Sequence, residues 1–270
     1  MAVKGKTPES MPADMRGVYQ RLAKLVSSPK ADGLYNGLSQ SRSGKIISAD
    51  VARLLAPEFR TWSGRVRHTP ATGAPAGAYA HDRLMRELQD RGGRRTLLIT
   101  AGGAGAGKTS QLRAQTAIAD LIFDNQLREV SRAREILKTA LRHDWQVEIV
   151  YVHRPFADVV RAVIERSQRT GRWNWLYELP AAHIEAQRTV VTLWREFGDS
   201  TPVDAIYNAS NGFEQQPAGS RIDIQELDPG GRYHYADGKE LAKHVASILK
   251  AAVREGAVCK EVARIIGHYR

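Results

Sequence analysis

An apolar, strand-like run leads directly into a glycine-rich loop near the middle of the chain. The loop follows the pattern G-x-x-x-x-G-K-T from Gly102 to Thr109, after the run Thr96–Thr100. The residues from Ser110 to Ala119 have helical character. A glycine loop between a strand and a helix aims backbone N–H groups at an anion, and the helix N-terminus adds partial positive charge there. The flanking strand and helix favour a phosphate-binding loop over a chance glycine-rich turn.

Each position of this loop has a chemical role in the prediction. Lys108 can reach the outer phosphates of a nucleotide, and the Thr109 hydroxyl can ligate Mg²⁺. The implied ligands are therefore ATP and Mg²⁺. The predicted nucleotide-binding residues are Gly102, Gly103, Ala104, Gly105, Ala106, Gly107, Lys108, Thr109 and Ser110.

Composition sets broad limits on the class of protein. The chain has 270 residues, is 42% hydrophobic and carries a formal net charge of +11, which favours an anionic partner. The alternative explanation of the net charge is a generally basic, solvated surface. One cysteine, Cys259, is present, no apolar run is long enough to span a membrane, and Met1–Ser10 lacks the apolar segment of a secretory signal. We therefore expect a cytoplasmic protein without membrane contact; export by a route that uses other signals is an alternative.

Strand-like and helical segments alternate along the chain, which predicts an α/β fold with a mainly parallel sheet and helices on both faces. The expected architecture is the three-layer sandwich of phosphate-loop kinases. We assign residues 1–44 to an N-terminal helical extension, 45–208 to the kinase core and 209–270 to a C-terminal helical segment packed on the core. The stretch from Thr61 to Pro75 is rich in Gly, Pro and Thr. We interpret it as a long, solvated loop.

Several polar residues come directly after apolar, strand-like runs. Asp50, the glycine loop, Asp124 and His153 all do so. Because ligands bind beyond the carboxyl ends of parallel strands, we expect these residues to cluster at one edge of the sheet. Asp50 is a candidate base for an acceptor hydroxyl, with helix N-capping as the alternative. Asp124 is a candidate substrate or Mg²⁺ contact, or the base in place of Asp50, with Asp-Asn turn chemistry as the alternative.

Three arginines recur at a spacing of three: Arg166, Arg169 and Arg172. Guanidinium groups suit a transferring phosphoryl group, whose negative charge is spread over several oxygens. The alternative is a solvated basic helix face, as is usual for such runs. Trp173 and Trp175 flank one residue and could stack on a base or sugar, but packing is the favoured interpretation.

In chain order stand the segments GGAGAGKTS, LIFDNQL, VEIVYVHRP, ERSQRTGRW and AAH. Together they resemble the zeta toxin family of phosphate-loop kinases, over roughly Lys45 to Asn208. The resemblance implies phosphorylation of the sugar 3′-hydroxyl of UDP-N-acetylglucosamine with ATP and Mg²⁺. It also implies a toxin that an antitoxin protein neutralises.

The order of the segments departs from the family. The strand–helix unit that normally follows the phosphate-loop helix is missing there, and SADVARLLAPEFR, before the loop, resembles it. We interpret this as a permuted order with the unit in its usual place in space. By the resemblance, Asp50 is the catalytic base, Arg166 and Arg172 contact phosphate, and Asp124 is the acidic residue of the second substrate-side strand. Two positions differ from the family: Gln126, a predicted substrate contact like Arg169, replaces a Thr, and Ile184 replaces the acidic residue after His183.

The sequence therefore predicts a kinase that moves the γ-phosphoryl group of ATP to a hydroxyl of a small nucleotide-containing substrate. Lys108, Asp50, Arg166 and Arg172 are the predicted catalytic residues. Two other classes stay open. One is a nucleotide-dependent switch or ATPase without a small-molecule acceptor. The other, which the net charge suggests, is a polynucleotide kinase or nucleic-acid-linked ATPase, with nucleic acid a less favoured partner.

Overall fold

A six-stranded, mostly parallel sheet forms the centre of the protein. The computed structural model describes residues 8–90, 94–111, 118–208, 219–235 and 237–267. The strand order is β1-β3-β2-β4-β5-β6, and β6 alone runs antiparallel to its neighbour among the described strands. The strands are β1 (Ile46–Ser48), β2 (Arg95–Ala101), β3 (Leu121–Asp124), β4 (Trp145–His153), β5 (Val203–Tyr207) and β6 (Arg221–Ile222). This confirms the predicted α/β class with a mainly parallel sheet.

The helices lie between and around these strands. In chain order they are α1 (Ala13–Val26), α2 (Ala31–Asn36), α3 (Ala49–Ala52), α4 (Trp62–Asp90), α5 (Lys108–Gln111), α6 (Val130–Arg142), α7 (Phe156–Thr170), α8 (Leu179–Phe197), α9 (Gly238–Arg254) and α10 (Lys260–Ile266). No described helix is both long and apolar enough to cross a membrane. The predicted continuation of the phosphate-loop helix lies outside the described residues at positions 112–117, and its predicted end is wrong because Ile118 and Ala119 are not helical.

Strand β1 comes first in the chain, but it pairs with β3 and not with β2, the next strand along the chain. The register places Ile46 opposite Ile122 and Ser48 opposite Asp124. The outer edge of β1 is held by the buried Tyr35 of α2, whose hydroxyl donates to the Ile46 carbonyl and accepts from the Ser48 N–H, both at 2.9 Å. The chain therefore brings Asp50, just after β1, to the same end of the sheet as Asp124.

Alternating apolar side chains bury both faces of the sheet. Leu97 and Ile99 of β2 pack with residues of α4, α6 and α8 in the main core. Leu98 points to the other face and is buried with Ile122, Val150 and Ile206. A helical layer therefore covers one face. The expected helix on the second face, after Gln111, falls outside the described residues.

The interpretation of Thr61–Pro75 as a loop is wrong, because α4 runs through it without a break. Pro70 lacks an N–H, so the helix cannot satisfy the Val66 carbonyl four residues earlier. The indole N–H of Trp173 donates to that carbonyl instead, at 2.8 Å. Tertiary packing thus overrides the local preference of a proline- and glycine-rich stretch. Ala71 and Ala76 are fully buried on the packed side of the helix.

Two smaller apolar clusters flank the sheet. One joins α1, α2 and α4 around Tyr35 and Phe59. The other joins α7, α9 and α10 around Val163 and Val245. The division into extension, core and C-terminal segment stays a prediction, but both flanking segments pack closely on elements that carry the site described next.

Candidate functional site

The glycine loop after β2 is a tight turn whose backbone depends on its glycines. Gly102, Gly105 and Gly107 have φ angles of +123°, +83° and +91°, in the region that residues with a Cβ rarely adopt. Gly103 is required for a different reason: a Cβ there would overlap the imidazole ring of His183. Local backbone geometry and close packing together explain the four glycines.

Three side chains from the scaffold hold successive carbonyls of the loop. His183 Nε2 lies 3.0 Å from the Ala104 oxygen, Arg154 Nη1 donates to the Gly105 oxygen at 2.8 Å, and Asn208 Nδ2 donates to the Ala106 oxygen at 2.6 Å. Burial lowers the pKa of His183 to about 4, with nearby cations adding to the effect and the hydrogen bond with the Ala104 carbonyl opposing it. The ring is therefore neutral at neutral pH, and its Nε2–H is the donor.

Sequence reasoning did not identify Arg154 or Asn208 as site residues, and the resemblance alone singled out His183. Arg154 follows β4 and Asn208 follows β5 directly, as Asp124 ends β3. The rule that polar residues past parallel strands converge, applied to every strand, would have found both.

Lys108 lies across the loop. Its Nζ donates to the Gly102 carbonyl at 2.9 Å and lies 3.5 Å from the Gly103 oxygen. Burial lowers its pKa, and the positive charges of Arg166 and Arg172 act in the same direction. The carboxylates of Asp124 and Asp50 oppose this shift. Lys108 is thus in electrostatic reach of every predicted catalytic residue.

A cavity of about 620 Å³ opens in front of the loop and brings most of the predicted residues together. Its volume is in the range of small-molecule sites. The predicted residues that line it are Asp50, Ala104, Gly105, Gly107, Lys108, Thr109, Ser110, Asp124, Gln126, Arg166, Arg169 and Arg172. Gly102, Gly103 and Ala106 are not among its lining residues and are buried behind it.

The described lining is strongly cationic. Eight Lys and Arg side chains face three Asp and Glu side chains. Four of the eight were not predicted: Arg53, Arg128, Arg132 and Arg154. This surplus would attract a polyanion such as a nucleotide with its phosphates. Arg53 could have been suspected because it lies one helical turn after Asp50.

A second cavity of about 570 Å³ adjoins the first at Ser48, Asp50, Thr109, Asp124 and Arg172. Phe123 lines the first cavity and Ile122 the second. Because neighbouring residues of a strand point to opposite faces, the cavities lie on opposite faces of the sheet edge. Asp50 and Asp124 therefore stand where two spaces meet, one in front of the glycine loop and one beside it.

Asp50 is an ionised carboxylate surrounded by cations. The N-cap of α3 is Ser48, whose hydroxyl accepts the Asp50 N–H at 3.2 Å, so the capping interpretation of Asp50 is wrong. The carboxylate pairs with Arg172 and lies 3.9 Å from Arg53 Nη1. Burial favours its neutral form, but the charges of Arg172, Arg53, Arg166 and Lys108 outweigh burial and hold the pKa well below its usual range.

Asp124 ends β3, and its carboxylate takes part in the site. Its Oδ1 accepts the Thr100 hydroxyl at 2.9 Å, and that hydroxyl accepts the Asn125 N–H at 3.2 Å. The turn itself is made by Asn125, whose side-chain oxygen accepts the Leu127 N–H at 2.8 Å. Asp124 therefore lines the cavity, and the turn chemistry offered as its alternative belongs to its neighbour. Gln126 contributes a backbone oxygen, which accepts the Gly102 N–H at 3.2 Å.

The three predicted arginines line the same cavity but differ in their contacts. Arg172 pairs with Asp50, and Arg166 donates to the side-chain oxygen of Asn174. Burial, with repulsion from Arg172 and Arg53, lowers the pKa of Arg166 to about 10, against the opposing effect of Asp50. Arg169 is exposed at the rim. Trp173 is 4% exposed, which agrees with the packing interpretation of the tryptophans.

The hydrogen-bond donors and positive charges at the cavity suit a polyphosphate. The loop presents glycines at positive φ, a half-buried lysine and the start of α5, and Thr109 is exposed at the cavity with Asp50 and Asp124 on its lining. Among the described residues, no group of three or more His, Cys, Asp or Glu side chains is placed to hold a metal ion.

A search of protein-family models and of curated proteins found nothing that matches this chain.

We expect Gly103→Ala to weaken ATP binding by at least about tenfold, because the added methyl group must displace either the loop or the buried His183. Gly77→Ala is the matched control, since Gly77 lies on α4 with open space around its Cβ position. Isothermal titration of ATP into both variants checks the expectation. Equal affinity in Gly103→Ala and wild type would show that the loop does not need its observed geometry.

Proposed function

We propose that the protein is a phosphate-loop kinase that transfers the γ-phosphoryl group of ATP to a hydroxyl of a small nucleotide-containing acceptor. One observation carries the proposal: the glycine loop with Lys108, an ionised carboxylate and two arginines line a single cavity. Phosphoryl transfer needs these three parts, namely a cradle for the phosphates, a group that orients the attacking hydroxyl and positive charge for the transition state.

On the nucleotide side, the N–H groups of the loop and Lys108 would hold the β- and γ-phosphates. Lys108 donates to loop carbonyls, so a phosphate oxygen can replace a neutral acceptor without breaking an ion pair. Thr109 would hold Mg²⁺ together with phosphate oxygens, and the ion supplies charge neutralisation of the phosphates when bound.

On the acceptor side, Asp50 would accept the hydrogen bond of the attacking hydroxyl. The oxygen–phosphorus bond forms as the bond to the ADP oxygen breaks, and the hydroxyl proton passes to Asp50. A carboxylate with a lowered pKa is a weak base, so its main contribution is orientation. This suits a transition state in which phosphoryl transfer needs positioning more than strong proton abstraction.

Arg172 and Arg166 would stabilise the charge that develops on the transferred group. Arg172 contacts Asp50, so it can link the acceptor side to the phosphoryl group. Arg166 is held by Asn174 and is close enough to Asp50 to affect its pKa. A planar guanidinium group can bind two oxygens at once, which favours arginine over lysine at both positions.

The resemblance to the zeta toxin family makes UDP-N-acetylglucosamine the first candidate acceptor. It also extends the proposal to a toxin with an antitoxin partner. The placement of β1 and Asp50 at the sheet edge beside the loop agrees with the permuted order inferred from SADVARLLAPEFR. The cationic cavity equally suits other nucleotide acceptors, and an oligonucleotide is the second candidate because of the net charge of +11.

Incubation with γ-labelled ATP, Mg²⁺ and a panel of sugar nucleotides, dinucleotides and oligonucleotides tests the proposal. We expect the label on a sugar nucleotide, because the cavity of about 620 Å³ has the volume of a small-molecule site. Label found solely on oligonucleotide ends, with strong salt dependence, would replace this proposal with a polynucleotide kinase.

A further inference from the structure

In the turn after α7, a tryptophan lies between two residues whose side chains contact site residues. Arg172 pairs with Asp50, and Asn174 accepts from Arg166. Trp173, between them, also lines the cavity, and its indole N–H donates to the Val66 carbonyl of α4 at 2.8 Å. The side chain that anchors this turn is therefore flanked by two residues that act in the site.

The Val66 carbonyl is available because of Pro70. A residue with an N–H at position 70 would donate to Val66 within the helix, whereas proline cannot. Without Trp173, this carbonyl would lose its donor in a buried place, which is unfavourable. The proline in α4 and the tryptophan in the turn thus form a complementary pair, 103 residues apart in the chain.

The same end of α4 holds the preceding turn of α7. The Trp62 indole N–H donates to the Gln168 carbonyl at 2.9 Å, and Arg65 Nε donates to the Thr170 carbonyl at 2.5 Å. Gly171, with a φ angle of +73°, packs directly on the Trp62 carbonyl. Helix α4 therefore binds the backbone at the end of α7 from Gln168 to Thr170, and Trp173 completes the contact.

We propose that Trp173 is a positioning residue for phosphoryl transfer, and that it acts by anchoring Arg172 and Asn174 to the carbonyl that Pro70 leaves open. This rests on the proposed kinase function. A displacement of about 1 Å of a group that contacts the transferred phosphoryl can lower the rate about 100-fold. The anchor matters because long arginine side chains otherwise sample many conformations.

Trp173→Phe keeps an aromatic ring but removes the indole N–H. We expect kcat to fall about 10- to 100-fold and the KM for ATP to rise by up to about tenfold, because the arginines that would meet the terminal phosphate lose their anchor while the loop and Lys108 are untouched. We also expect the melting temperature to fall by about 2–6 °C, because the Val66 carbonyl loses its donor.

The double variant Trp173→Phe, Pro70→Ala separates positioning from stability. Alanine at 70 supplies an N–H that satisfies the Val66 carbonyl within α4, but it does not reattach the turn. We expect the melting temperature to recover and kcat to stay low. Recovery of both would overturn the proposal, since Trp173 would then serve stability alone. Pro70→Ala by itself should keep kcat within about twofold of wild type, because a carbonyl can accept two hydrogen bonds.

Trp145→Phe is the matched control. Trp145 is 3% exposed, and its indole N–H donates to the Leu88 carbonyl of the same helix at 3.0 Å, at the amino end of β4, away from the cavity. We expect it to lower the melting temperature without lowering kcat. An equal loss of kcat in both tryptophan variants, or no loss in Trp173→Phe, would contradict the proposal.

The affinity for inorganic tripolyphosphate keeps this test independent of the kinase proposal. If wild type transfers no phosphoryl group, the proposed function fails, yet the anchoring of the arginines can still be measured. We then expect Trp173→Phe to bind tripolyphosphate about tenfold more weakly, without rescue by Pro70→Ala. Unchanged affinity in that variant would overturn the anchoring itself.

Discussion

We expect Lys108→Ala to lower phosphoryl transfer at least about 10³-fold while the protein stays folded. Lys108 bonds only to loop carbonyls among the described residues, so its loss breaks no ion pair. Burial is the main cause that lowers the pKa of Lys108, with Arg166 and Arg172 adding to it and Asp124 and Asp50 opposing it. Removal of one cation from this group should leave the melting temperature of the unliganded protein unchanged or slightly raised.

Turnover and thermal melting of Lys108→Ala should be measured on the same preparation. Lys138→Ala is a suitable control, because Lys138 is an exposed lysine on α6. If Lys108→Ala retained the wild-type rate, the glycine loop would have no role in ATP turnover.

The second large effect is expected at Asp50. Asp50→Asn should lower kcat about 10²–10⁴-fold, because asparagine cannot take the hydroxyl proton and orients the hydroxyl less well. ATP should still bind, and no more weakly than in wild type, because the cations that Asp50 neutralises become available to phosphate. Asp82→Asn, at an exposed position of α4, is the control.

Asp50 should also contribute to stability in a defined pH range. Its pKa in the folded protein is lower than the ordinary value of 3.8, chiefly through Arg172, against the opposing effect of burial. At pH values between the lowered pKa and 3.8, the unfolded state therefore binds more protons than the folded state. The contribution is fully present above the ordinary pKa and is lost as the pH falls below it, so wild type and Asp50→Asn should converge in melting temperature at low pH.

Asp124→Asn should behave differently from Asp50→Asn. Asp124 is held by Thr100 at the end of β3, and we expect its loss to raise KM for the acceptor or the requirement for Mg²⁺. Independent titrations of acceptor and Mg²⁺ separate the two. If Asp50→Asn kept near-full kcat and Asp124→Asn lost about a thousandfold, the two roles would be reversed, and the family interpretation of Ser48–Arg60 would have to be withdrawn.

The glycine loop and the strand ends could be predicted because their signals are local. A strand, a G-x-x-x-x-G-K-T loop and a helical start occupy consecutive residues, and the carboxylates follow apolar runs directly. Strands β1 and β3 lie 76 residues apart at their paired positions Ser48 and Asp124, yet the strand-end rule placed Asp50 and Asp124 at one edge. The rule works because parallel strands point their carboxyl ends the same way.

Other parts of the site could not be predicted from local pattern. Helix α4 was misjudged because its prolines favour a loop, while the donor that satisfies Val66 lies on Trp173. The strand-end rule could have placed Asn208 at the site, but no spacing in the sequence encodes the hydrogen bond by which its side chain holds the Ala106 carbonyl. The capping role fell to Ser48 rather than Asp50, because both residues suit a helix start and only tertiary contacts with Arg172 decide between them.

The fate of the γ-phosphate of ATP tests the central claim most directly. Wild-type protein would be mixed with γ-labelled ATP, Mg²⁺ and UDP-N-acetylglucosamine or another small nucleotide acceptor, and the label on acceptor would be compared with released inorganic phosphate. We predict label on the acceptor in wild type and its loss in Asp50→Asn, although that variant still binds ATP. Label found exclusively as inorganic phosphate, with every acceptor of the panel and at the same rate in both proteins, would contradict the account and indicate an ATPase.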